Sequence, residues 1–158
     1  YQKDSGKIVL LDFGACRKLS NHTSEQYRAM AYAMQKQDRE AMQEALLNLG
    51  LMDENMSDNV VGIILNACLI ASECLQTKVE NEKYNIKAEK LIKRIQQETM
   101  PLITDRTATT TPKFDVALVN RKITGMVLLA NKLGADLDFR SAVSSYIEPM
   151  ATKTSHID

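Results

Sequence analysis

Asp12, Phe13 and Gly14 stand where a run of β-forming residues, Lys7 to Leu11, gives way to a polar turn. A carboxylate at the end of a strand, followed by an apolar anchor and a glycine, suits a magnesium site. The strand holds Asp12 rigid, Phe13 packs beneath it, and Gly14 lets the backbone turn sharply. In phosphoryl transfer such an aspartate holds the Mg²⁺ that bridges the nucleotide phosphates. The plainer reading is a strand-end aspartate that caps its own turn. A given tripeptide recurs by chance in roughly a few per cent of chains this long, so the context carries the weight.

Few other residues compete for chemistry. Arg17 either approaches phosphate oxygens or forms a structural ion pair with a nearby carboxylate. Arg121 and Lys122, on a later helix, more often make structural pairs than substrate contacts, and Gly125 on that helix suggests close approach of another element. Lys83, Lys87, Lys90 and Arg94 follow one another at helical spacing, a basic edge that could rest on anionic headgroups but more often is a solvated face. His22 and His156 are isolated, so no zinc-type site is expected. Asn21-His22-Thr23 fits a glycosylation sequon, although Thr23 is better used as a helix cap.

These residues must be positioned by a chain of 158 residues, enough for one domain or one lobe of a larger one. A hydrophobic share of 44% with 25% charged residues can supply a real core. Twenty basic residues balance twenty acidic ones, so net charge gives no reason to expect a nucleic-acid partner. Three cysteines, Cys16, Cys68 and Cys74, are too few and scattered for a disulfide framework and suit a reducing compartment. The longest apolar stretch, Val60 to Ala71, contains Asn66 and is too short to span a bilayer, so a core helix is expected there.

Lys7–Leu11 is the one convincing strand, and a lone strand leaves backbone groups unpaired. Asp4-Ser5-Gly6 before it is turn chemistry, with Tyr1-Gln2 as the end of a hairpin partner. Together with the opening Tyr1, this suggests a fragment whose earlier part is missing.

After residue 20 the pattern is helical. Thr23 and Gln26 form a capping box, and Tyr27, Met30, Ala31 and Met34 repeat at i, i+3, i+4, i+7. Asp38 caps a second helix carrying Met42, Ala45, Leu46 and Leu49, which Gly50 stops. Ser57 opens a third, apolar nearly all round from Val60 to Leu75 and therefore expected to be central. A fourth starts near Asn85 with Ala88, Leu91, Ile92 and Ile95 on one face, and ends at Pro101. Thr104 to Pro112 reads as a surface loop. A fifth runs from Phe114 to Leu133 with Val116, Val119, Ile123, Val127 and Ala130 as its buried stripe, and a sixth covers Ser141 to Met150. The expected class is mainly α, with one N-terminal β-hairpin strand carrying Asp-Phe-Gly; residues 1–150 form the domain and 151–158 a tail.

Strand, Asp-Phe-Gly, then helices is the order of the second half of a protein-kinase C-lobe. An ordinary protein kinase follows this motif with a long activation segment ending in Ala-Pro-Glu. Here the helical pattern begins about ten residues after Gly14 and no Ala-Pro-Glu follows. The run Leu10-Leu11-Asp12-Phe13-Gly14-Ala15-Cys16-Arg17 closely resembles the UbiB, or AarF-domain, atypical kinases. A second likeness lies at Asn120-Arg121-Lys122-Ile123-Thr124-Gly125-Met126 and on to Asn131-Lys132-Leu133, similar to the Arg-Lys-x-x-Gly segment of the coenzyme Q branch.

The resemblance implies the helical C-lobe portion of a protein-kinase-like fold, an atypical kinase or ATPase that binds ATP with Mg²⁺ and supports ubiquinone (coenzyme Q) biosynthesis. Asp12 would be the metal ligand, Asp12, Phe13 and Gly14 the nucleotide-binding motif, and Arg17, Arg121 and Lys122 supporting residues. The family's Lys-x-Gly-Gln segment, alanine-rich nucleotide loop and catalytic-loop Asp and Asn would precede residue 1, so this stretch alone is expected to be inactive and offers no catalytic residue of its own. The implied partners are nucleotide, a quinone or isoprenoid lipid, and quinone-biosynthesis proteins, with peripheral membrane contact. The implied location is the matrix side of the mitochondrial inner membrane or the bacterial cytoplasmic membrane. Two rival readings are a catalytically inactive kinase-like scaffold and a free-standing helical interaction module.

Overall fold

The computed structural model describes residues 1–7, 9, 16–76, 89–108, 110–134 and 139–154. Six α-helices follow one another: α1 (Asn21–Lys36), α2 (Arg39–Leu49), α3 (Asp58–Gln76), α4 (Glu89–Thr99), α5 (Phe114–Leu133) and α6 (Phe139–Thr154). The mainly helical class expected from the sequence is what the structure has. At the start of the chain Gln2 and Lys7 form an antiparallel bridge, with the Gln2 amide donating to the Lys7 carbonyl at 2.9 Å. The hairpin turn expected at Asp4-Ser5-Gly6 is therefore present. The strand expected beyond it falls on residues 8, 10 and 11, outside the described residues.

Local chemistry sets the helix ends. Ser20, not Thr23, caps α1: its hydroxyl accepts from the Thr23 amide at 3.0 Å, and Thr23 itself is buried one turn in. The expectation named Thr23; Ser20, three residues earlier, takes the cap instead. Asp38 caps α2 as expected, accepting from the Ala41 amide at 3.1 Å, and Ser57 accepts from Val60 at 3.4 Å where α3 begins. Gly50 ends α2 at φ +68°, a left-handed conformation that lets the Leu51 amide return to the Leu46 carbonyl at 2.9 Å. Gln37 adopts the same conformation at the end of α1, φ 57°, with Asp38 donating back to Ala33 at 3.0 Å.

α1 and α2 pack as an antiparallel hairpin, α3 lies against both, α4 lies on α3, and α6 lies on α1 and α3. The core joins Met30, Ala33, Met42, Ala45, Leu46, Met52, Met56, Val60 and Leu65. α3 is less central than its composition suggests. Val60, Leu65, Ser72 and Leu75 are buried, whereas much of the helix is half-buried and Asn66 is exposed. It is also longer than the apolar stretch that marked it: Asp58–Leu75 is long and apolar enough to cross a membrane. The expectation that this segment is too short is corrected, because helix forms on both sides of the Val60–Ala71 run.

Polar pairs fasten α3 to its neighbours. Arg39 of α2 donates to the Asn66 side-chain carbonyl at 3.0 Å, and the Asn66 amide donates to Glu98 of α4 at 2.9 Å. Arg94 of α4 grips Glu73 of α3 with two parallel bonds of 2.6 Å. Arg94 thus takes part in helix packing, and Lys83 and Lys87 of the same basic series lie outside the described residues. The pair is about half exposed, so it contributes at most about 1 kcal/mol.

α5 departs most from expectation. Val116 is buried, but Ile123, placed in the same stripe, is 50% exposed, and Leu118, Met126, Leu128, Leu129 and Leu133 are exposed as well. No described atom outside its own helix comes within 4 Å of a methyl group placed on Gly125, so the close approach expected there is absent among the described residues. α6 continues past Met150 to Thr154, into the expected tail.

Two stability predictions follow from this packing. Met42→Ala, at a fully buried position, should cost about 2–5 kcal/mol in chemical denaturation, whereas Met126→Ala on the exposed side of α5 should change stability by about 0.5 kcal/mol or less. Gln37→Gly should stabilise by about 1 kcal/mol, since glycine adopts the left-handed conformation without a Cβ penalty.

Candidate functional site

Asp12, Phe13 and Gly14 lie outside the described residues, and what the structure defines is the segment that leaves them. Five residues, Ala15 to Leu19, separate Gly14 from the helix cap at Ser20. Cys16 is exposed. Arg17 Nε lies 2.9 Å from Asp115 Oδ1, and its guanidinium sits 5.2 Å from the centroid of the Phe114 ring. The contact is a close charge pair without hydrogen-bond alignment, because the buried Asp115 Oδ1 has no hydrogen-bond partner. Arg17 thus meets a protein carboxylate in the first turn of α5, the structural alternative weighed for it, and anchors the post-motif segment there. Asp115 also suits that turn electrostatically, a carboxylate near the positive end of the helix dipole.

A second link joins α1 to α5. The Tyr27 hydroxyl reaches the Asn120 side-chain carbonyl at 2.9 Å and the Val116 backbone carbonyl at 3.3 Å. Burial pushes the Tyr27 hydroxyl pKa up, which keeps it protonated and donating. Asn120 begins the second stretch that resembles the coenzyme Q branch, so the structure brings the flanks of both stretches to one helix. Arg121 and Lys122 point elsewhere: both are exposed, and neither forms an ion pair with another described residue. The sequence places Tyr27 in the α1 stripe and Asn120 in the second resembling stretch but does not pair them. The available signal was one hydrogen-bonding side chain inside each of two apolar stripes, a pairing that spacing cannot reveal.

Between these helices lies an open cavity of about 700 Å³, bounded mainly by α1 and α5 and closed behind by the ends of α2 and α3. The Tyr27/Met30/Ala31/Met34 stripe and Val119 and Ile123 both line it. The apolar stripes that periodicity marks on α1 and α5 thus both border an open space. Among the described residues no group of three His, Cys, Asp or Glu side chains is arranged to hold a metal. The chemistry of Asp12 still fits Mg²⁺, which commonly takes one or two protein carboxylates and fills its remaining positions with phosphate oxygens and water.

The thiols divide by environment. Burial pushes Cys68, on the cavity wall, up to about 11 from the ordinary 9.0, and Cys74 is raised too, chiefly by burial. Iodoacetamide at about pH 8 should therefore alkylate exposed Cys16 well before Cys68, as read by peptide mass spectrometry. The raised Cys68 value has a second consequence. Folding favours its protonated form, so this contribution to stability is complete below 9.0 and is lost as pH rises through about 11. The melting temperature should fall across that window, and Cys68→Ala should flatten the fall.

A family model, that of the ABC1 atypical kinase-like domain, matches residues 1–46. Neither curated proteins nor solved structures give a match to the chain. The matched segment contains Asp12-Phe13-Gly14, all of α1 and most of α2, and it ends before the second resembling stretch at Asn120–Met126. Over its first 46 residues the chain is similar to an ABC1 atypical kinase-like domain, and the likeness is to the kinase-like family as a whole.

Proposed function

We propose that this chain belongs to the helical lobe of an atypical kinase or ATPase that binds Mg–ATP through Asp12 and serves ubiquinone (coenzyme Q) biosynthesis. The observation that carries the reading is the ABC1-like match across the Asp-Phe-Gly stretch and the helix that follows it. α1 begins at Asn21, which leaves no room for the long activation segment of an ordinary protein kinase and supports the atypical class. In this reading Asp12 contributes the metal-binding carboxylate, Phe13 packs beneath it and Gly14 provides the turn. Asp12 would hold the Mg²⁺, whose chemistry there would be charge neutralisation in phosphoryl transfer. Arg17, engaged with Asp115, positions the post-motif segment instead of touching phosphate.

The proposed partners are nucleotide, a quinone or isoprenoid lipid and the enzymes of quinone biosynthesis. The proposed setting is a peripheral position on the mitochondrial inner membrane, matrix side, or on the bacterial cytoplasmic membrane. A second reading, a kinase-like scaffold without catalysis, draws support from the exposed apolar residues of α5, an amount of surface that suits protein contacts.

Mg-dependent ATP binding and hydrolysis by the protein containing the complete kinase-like domain separates the two, comparing wild type with Asp12→Asn. The expected result is loss of the Mg-dependent signal in the variant at an unchanged melting temperature without nucleotide. Unchanged Mg-dependent binding in the folded variant would remove Asp12 from the metal and leave the scaffold reading.

A further inference from the structure

The cavity between α1 and α5 has a direction. Ser24, Tyr27 and Arg28 edge it along the first half of α1, and Met30, Ala31 and Met34 continue the wall along the second half. Cys68 and Ala71 of α3 and Val119 and Ile123 of α5 complete the apolar part. Polar side chains are thus gathered toward one end of a channel that is otherwise hydrocarbon and thioether. Such a gradient matches an elongated molecule that is polar at one end only. An apolar cavity of about 150 Å³ accepts a benzene ring, so about 700 Å³ is ample for a long flexible chain. Methionine side chains on the wall adjust to a chain of variable shape.

The polar end also has a charge. Arg28 is exposed at the rim and forms no ion pair with another described residue. The Asn120 carbonyl is occupied by Tyr27, while its amide group donates to no other described residue. Arg28 supplies a guanidinium and Asn120 a side-chain amide, N–H donors of the kind that receive an anionic oxygen pair.

We infer that the α1–α5 cavity is a binding site for a single-chain anionic amphiphile, its hydrocarbon chain lying between Met30, Met34, Ala71 and Val119 and its carboxylate or phosphate head at Arg28 and Asn120. The inference rests on the cavity alone and is independent of nucleotide binding at Asp12.

The test is a titration of the intact protein with cis-parinaric acid, whose fluorescence rises in apolar surroundings; the chain has no tryptophan to overlap with it. Saturable binding of one molecule per chain is expected. Arg28→Ala should weaken it about tenfold, the loss of one charge-assisted contact, and Arg28→Lys should restore part of that. Ala71→Phe, which places a ring in the path of the chain, should weaken it at least as much. Displacement by oleate in preference to geranylgeranyl phosphate identifies a carboxylate head, and the reverse order a phosphate head. Equal displacement by uncharged geranylgeraniol overturns the assignment. So does absence of saturable binding, or wild-type affinity in Arg28→Ala, a surface variant whose folding is not at issue. Asp12→Asn should bind the probe as wild type does, so a failed nucleotide assay and a failed lipid titration are read separately.

Discussion

Two residues, Gln37 and Asp38, turn α1 back on α2, and the rest of the bundle is laid on the hairpin they create. The turn is costly in one respect: a side-chain-bearing residue is held in the left-handed region, at roughly 1–2 kcal/mol. Three contributions offset it. The turn amides return to the Ala33 and Met34 carbonyls, the Asp38 side chain satisfies the first turn of α2, and Met42 is carried to full burial. Ala33 and Ala45, both nearly inaccessible, are the small side chains that fit where the helices lie close. α3 then covers the hairpin with Val60 and Leu65, and α6 closes against α1 and α3.

Much of this was legible in the sequence because it rests on local rules. Asp38, Gly50 and Ser57 are boundary residues whose chemistry acts within a few positions, and α5 starts and stops at Phe114 and Leu133 as its period indicates. What was not legible is how far apart the apolar stripes lie. Periodicity tells which side chains share a face of α1 or α5, but it is silent on whether the two faces touch. Ile123 has the right phase for a core position and yet stands half exposed at a cavity mouth. The capping-box spacing singles out Thr23, yet Ser20 takes the cap and Thr23 is buried one turn in, a choice that tertiary burial makes.

The candidate site was legible as a motif but not as a neighbourhood. Asp12-Phe13-Gly14 is recognisable by type and order alone. Its surroundings depend on contacts across nearly a hundred residues, Arg17 to Asp115 and Tyr27 to Asn120, and no spacing rule relates them. These contacts tie the described residues 16–19 at two points: Ser20 joins them to α1, and Arg17 joins them to α5.

The core is also unusual in its chemistry. Met30, Met42, Met52 and Met56 make up four of its nine buried members. Thioethers fill the irregular space among short helices well, but each is one oxidation step from a polar sulfoxide that an apolar interior cannot receive. With exposures of 8% or less they are shielded only while the helical hairpin stays closed. An oxidant would reach them during local opening, and the modified side chain would then oppose reclosure. The durability of this fold is therefore tied to the redox history of its surroundings as well as to temperature, and a methionine-sulfoxide reductase would act on it as a repair enzyme for structure.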